Sequence, residues 1–228
     1  MTPRVQRSGP LPDTAGFASG VTPDSHPGAH ARRELRILAV PPTPQQSLQL
    51  VRQRSTLTAL SHLFGRLSAE IVEELYWPIL VVRASSTTSS LSGNQRRYRD
   101  LGAVDLVTGS CGLVDRQLPE ATERQVHSSA CLPQAHDHAE ARRRWHEFYR
   151  NYVARHRRSF GVPVLSIDAV QPCWLPCDAV CERAVGQRAP RVLLVDRLAG
   201  GVQATPPEFK QHTAAVAARW TPTGHKAA

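Results

Sequence analysis

The chain has 228 residues, 41% of them hydrophobic, and a formal net charge of +9. That length suits one ordinary domain or two small halves packed together, and the apolar content can fill a core. The positive balance argues against a cationic partner and for an anionic one: nucleic acid, an anionic membrane face or an acidic protein.

Residues 1–33 are rich in Pro, Gly, Ser and Thr with almost no apolar pattern, and read as a disordered arm. Glu34 to Val40 alternates and then runs apolar, which predicts a first strand. Pro41, Pro42 and Pro44 stop it, and Pro44 suits the first turn of a helix. That helix reads on to Leu67 with a break near Ser55. Its clearest apolar stripe is Leu57, Leu60, Leu63, Phe64 and Leu67, at spacings of three and four. Ser68 to Leu75 reads as one more short helical turn capped by Ser68.

A short pattern then occurs twice, roughly ninety residues apart, which points to doubling of one supersecondary unit. The first copy holds Trp77-Pro78, the apolar run Ile79 to Val82, a Ser/Thr-rich loop from Ser85 to Gly93, and a strand ending in Asp105-x-x-x-Gly109. The second holds Pro172, Trp174 and a strand ending in Asp196-x-x-x-Gly200. The hairpin closing on Asp-x-x-x-Gly resembles the small PepSY-type αββ modules, a likeness that rests on one generic turn. Residues 110–137 are irregular. Asp137 and Glu140 make a capping box, and Gly161 and Pro163 mark a stop, which predicts a helix of about 22 residues. Strands fill Val164 to Leu198, and Pro206-Pro207 opens a last helix from Glu208 to Arg219.

The expected fold is α+β: duplicated αββ units forming antiparallel hairpins in one sheet or two, with helices on one face. The expected divisions are a disordered arm 1–33, a first half 34–118, a linker 119–137, a second half 138–219 and a disordered tail 220–228. The apolar runs fall well short of the ~20 residues of a membrane-spanning helix. No secretory signal is visible, and an odd count of five cysteines argues for a reducing compartment. A soluble cytoplasmic protein is expected.

The strongest functional feature is the basic helix after Asp137. Ala141, Trp145, Phe148, Tyr149 and Tyr152 share one face; Arg143, Arg150, Arg157 and Arg158 lie opposite, with Arg144 and Arg155 on a flank. The aromatic stripe packs on a sheet. The arginines are a solvated face or a phosphate-binding one, since guanidinium forks match phosphate geometry. Arg96, Arg97 and Arg99 in the first hairpin, with Arg183, Arg188 and Arg191 in the second, would extend the basic surface. A GC-rich coding bias, in which Arg far outnumbers Lys, accounts for the same charge without a ligand.

Cys173, Cys177 and Cys181 recur every four residues, and Cys173 and Cys177 with His136 and His138 are candidate zinc ligands. On a strand, residues four apart sit roughly 13 Å from each other, so a bend at Pro176 would be required. Buried thiols and loop histidines are the simpler account. No G-x-S-x-G, H-E-x-x-H, P-loop or dinucleotide fingerprint is present. Asp105 and Asp196 fit turn-ending roles, because Asp before a turn accepts backbone N–H groups. Trp77 and Trp174 are core anchors or an exposed peptide-docking edge. The reading is therefore a non-catalytic binding protein that engages a polyanion, nucleic acid before membrane. The alternatives are a protein–protein adaptor and a zinc enzyme.

Overall fold

The structure is a computed structural model and describes residues 32–40, 43–115, 117–157, 159, 161–186, 190–204 and 214. The arm up to residue 31, Arg158, Arg188, the tail and almost all of the predicted last helix lie outside the described residues. In chain order the elements are β1 (Arg32–Leu38), α1 (Pro44–Gln53), α2 (Thr56–Leu63), β2 (Leu67–Ser89), β3 (Gln95–Asp105), β4 (Cys111–Leu113), β5 (Ala121–His127), a 3-10 turn (Ser128–Ala130), α3 (His138–His156), β6 (Val164–Ala184), β7 (Arg191–Asp196) and β8 (Val202–Ala204). The described residues thus form a mixed α/β fold with one eight-stranded sheet.

Two long strands, β2 and β6, carry the sheet. They pair antiparallel from Leu67↔Ala184 to Thr87↔Val164, so the two halves share one sheet. β3 and β4 extend it beside β2, and β7 and β8 beside β6. Each long strand carries one bulged residue, Val72 on β2 and Asp168 on β6. Because a bulge restores the same face after a change of parity, Ala69 and Ile71 lie on the same side as Leu80 and Val82. α1 covers one end of that side through Val51 on Val180, Leu193 and Val195. α3 covers the other end through Ala141, Trp145, Tyr149 and Val153 on Leu80, Val82 and Val104. α1 and α3 therefore lie on the same face of the sheet. The β1–β5 ribbon covers Trp77, Ile79, Cys173 and Cys177 on the opposite face.

Four expectations change. Ser68 to Leu75 is strand, the first part of β2. The supposed loop from Ser85 is strand as far as Ser89, and the turn is confined to the residues before Gln95. The expected linker contains β5, which pairs with β1 along Arg32↔His127 to Leu38↔Ala121. The stripe on α2 is not core: Leu57, Leu63 and Phe64 are exposed, and the helix buries Thr58 instead. The break near Ser55 is real, because Ser55 caps α2 by accepting from the Thr58 N–H. Among the described residues no helix is long and apolar enough to cross a membrane.

Candidate nucleic-acid interface

α3 starts where the capping box put it. The Asp137 carboxylate accepts from the Glu140 N–H at 2.7 Å, satisfying an otherwise unpaired donor of the first turn. Its buried stripe is Ala141, Trp145, Tyr149 and Val153, with Phe148 and Tyr152 half-buried beside it. The rings form a continuous row, Trp145 on Phe148 at 5.3 Å, Phe148 on Tyr152 at 6.5 Å and Tyr152 on His156 at 4.6 Å. This apolar row fixes which arginines face outward. Arg142, Arg143, Arg150 and Arg155 are exposed, with Glu147 the acid among them.

Two predicted contact residues are engaged internally. Arg144 donates from Nε and Nη2 to Glu140 at 2.9 and 2.8 Å. Arg157 is more deeply held, with its side chain 11% exposed. It donates to Asp100 at 2.6 Å and to the Ser86 hydroxyl at 3.1 Å, and it lies 3.9 Å above the Tyr98 ring. Asp100 also accepts from the Tyr149 hydroxyl, and burial first, then that carboxylate, pushes the Tyr149 phenol up to about 12. Arg157 pins the end of α3 to β3, so its free-cation role is replaced by an ion pair over an aromatic ring.

The hairpin arginines divide between the two faces of the sheet. Arg96 points to the α3 side, like Tyr98 and Asp100, its neighbours at alternate positions. Arg97 and Arg99 fall on the opposite face, with Arg83 diagonal to Arg99 across the β2–β3 pair. All four side chains belong to exposed residues. Sequence reading missed Arg83, although its strand parity matches that of Arg97 and Arg99 once the register is known. On the α3 side, Arg96, Arg155, His156 and Arg157 line a cleft of about 890 Å³ with the hydroxyl-bearing residues Thr88 and Ser89. There the hairpin and the last turn of α3 meet. The C-terminus of a helix carries a partial negative charge, which these cations offset.

The proposed zinc set does not come together. β6 runs straight through Cys173 and Cys177, with Pro176 in register opposite Tyr76, so the required bend is missing. His136 instead contacts Glu140 at the start of α3, and His138 is the first residue of that helix. Among the described residues no three His, Cys, Asp or Glu side chains gather as metal ligands would. Burial pushes the Cys173 and Cys177 thiols up, Cys177 well above its ordinary value, and so favours protonated, inert thiols.

Trp77 is buried and its indole N–H donates to Asp105 at 2.7 Å, which removes it as an exposed docking edge. Trp174 is half-buried and sits opposite Pro78 on one side and Ile37 on the other. Asp105 and Asp196 end their strands alike. Asp105 accepts from the N–H of Val107 and Thr108, Asp196 from those of Leu198 and Ala199. Gly109 and Gly200 close the turns at φ 72 and 69, a region glycine enters without steric cost. A cavity of about 350 Å³ lies between the two turns, walled by Trp77, Ile79, Leu175, Cys177 and Leu194. No protein family, no curated protein and no solved structure matches this chain.

Proposed function

We propose that the protein is a non-catalytic polyanion-binding module, with nucleic acid as the favoured ligand. The observation that carries this reading is the hydroxyl-lined cleft where Arg96 and Arg155 converge beside the anchored Arg157. Arg143 and Arg150 continue the positive charge along the outer face of α3. The spread of cations along one helix and into one cleft suits successive phosphates better than a single small anion. The matching Asp turns and the one bulge on each long strand also support descent of the two halves from one αββ unit.

The test is fluorescence anisotropy with short labelled single- and double-stranded oligonucleotides, titrated across salt. Binding should weaken steeply with salt. The triple substitution Arg96→Gln, Arg143→Gln and Arg150→Gln should flatten the log–log slope by about 1 for each phosphate that is no longer neutralised. Arg157 is left intact because its removal would leave Asp100 without its cation. Absence of binding at low salt, or a slope that the triple variant does not change, rejects this surface. A protein that co-purifies regardless of nuclease treatment would support the adaptor reading instead.

A further inference from the structure

We infer that α2 is a docking element for an anionic lipid surface, a role separate from the polyanion cleft. α2 is an inverted amphipathic helix. Its inward face is polar: Thr58 is buried, and His62, with its side chain 7% exposed, meets Glu182 at 3.2 Å and the Leu67 carbonyl at 3.0 Å. Arg54, at the end of α1, completes this inner group with two bonds to Glu182. The apolar side chains are left outside. Leu57 is 78% exposed, Leu60 44%, Leu63 77% and Phe64 71%. Val185, 75% exposed, joins them, because its N–H donates to the Arg66 carbonyl. Five of the eight large apolar residues exposed among the described residues therefore cluster at this one end of the sheet. Single exposed apolar residues need no explanation, but a contiguous group of this size marks an interaction site.

Charge decides between occupants. Arg66 follows Phe64 and Gly65, and Arg52 lines the same depression as Leu63. Both are exposed. In a two-fold contact between copies the same patch meets itself, and the depression that Arg52 and Leu63 line holds, among the described residues, no acidic residue to offer these arginines an opposite charge. An anionic bilayer complements both parts at once. Leu57, Leu63 and Phe64 enter the boundary of the acyl chains, while Arg52 and Arg66 meet the headgroup phosphates. Insertion is shallow and reversible, as suits two helical turns lying in the interface plane.

The test is co-sedimentation of the full chain with vesicles of phosphatidylcholine alone and of equal parts phosphatidylcholine and phosphatidylglycerol. Binding is expected to the second and not the first. The pair Leu63→Gln and Phe64→Gln should weaken it by more than about tenfold, since each side chain gives up apolar burial. Arg52→Gln with Arg66→Gln should weaken it and reduce its salt dependence. Arg143→Gln with Arg150→Gln, which lie on α3, should weaken it less than Arg52→Gln with Arg66→Gln does. The inference is overturned by absence of binding to anionic vesicles, or by binding that the α3 variant abolishes and the Leu63/Phe64 variant does not. A dimer in light scattering that the Leu63/Phe64 variant dissociates would assign the face to a second copy. A melting temperature lowered by several degrees in that variant would mean that the chain covers the face itself.

Discussion

Asp196 ends β7 with its carboxylate turned back on the chain, where Oδ1 accepts from the N–H of Leu198 at 2.7 Å and of Ala199 at 3.1 Å. Burial pushes its pKa up, and the two N–H donors pull it partly back. The net rise means that the folded chain binds this proton more tightly than the unfolded chain does. Its contribution to stability is thus fully present below the ordinary carboxyl value and is lost as pH rises through the raised folded value. Asparagine keeps the acceptor oxygen and removes the buried charge. Asp196→Asn should therefore be at least as stable as the parent at neutral pH, and should lose that advantage as pH falls into the carboxyl range. Asp196→Ala should lose about 1–2 kcal/mol, because two turn donors lose their acceptor. Urea unfolding at several pH values distinguishes the cases; an Asn variant as damaged as the Ala variant at neutral pH would refute this account of the charge. The same scale separates Arg157 from Arg143, which look alike on a helical wheel. The wheel stops at the end of the helix: Arg157 has extended backbone, φ −121 and ψ 120, and its side chain turns inward to Asp100.

α3 meets β3 at a point with no room for a side chain. A Cβ added to Gly102 would collide with the Trp145 ring and lie 2.8 Å from the Gly112 carbonyl oxygen. Gly102→Ala should cost about 1–3 kcal/mol by lifting the helix. Trp145→Leu should recover part of that loss in the double variant, a coupling visible in a denaturation cycle; strict additivity would show that the two do not touch. The capping box, the buried aromatic row and the break at Ser55 were all legible because each rests on local geometry. The misread elements each involve a long-range partner. Ile71, Val72 and Leu75 have helix-like spacing because Val72 is bulged, which interrupts the period of two that identifies a strand. The α2 stripe reads as core because periodicity shows that a face is apolar and not what it faces; Glu182, far along the chain, draws His62 inward instead. In the hairpin, the division of Arg96 from Arg97 and Arg99 follows from strand parity, which becomes informative only when α3 is known to lie on one side.

Across the whole molecule, the β2–β6 ladder joins the earlier and later parts of the chain into one mechanical unit. Each half supplies a helix that packs chiefly on the end of the sheet away from its own hairpin. α1 lies on Val180, Leu193 and Val195 from β6 and β7. α3 lies on Leu80, Val82 and Val104 from β2 and β3. Removing either helix uncovers strands belonging to the other half, so neither half keeps a closed core alone. Equilibrium unfolding should accordingly be one transition, superimposable by far-UV circular dichroism and by tryptophan fluorescence. Val51 under α1 and Val153 under α3 are both fully buried and sit at opposite ends of the ladder. Val51→Ala and Val153→Ala should each lower that single midpoint, by about 1–3 kcal/mol, as loss of transfer energy and a small cavity require. Their effects should add, because the sites share no neighbour in the core. If Val51→Ala instead split the curve, leaving the signal of Trp145 at the α3 end unmoved, the halves would be folding independently and the long ladder would not couple them.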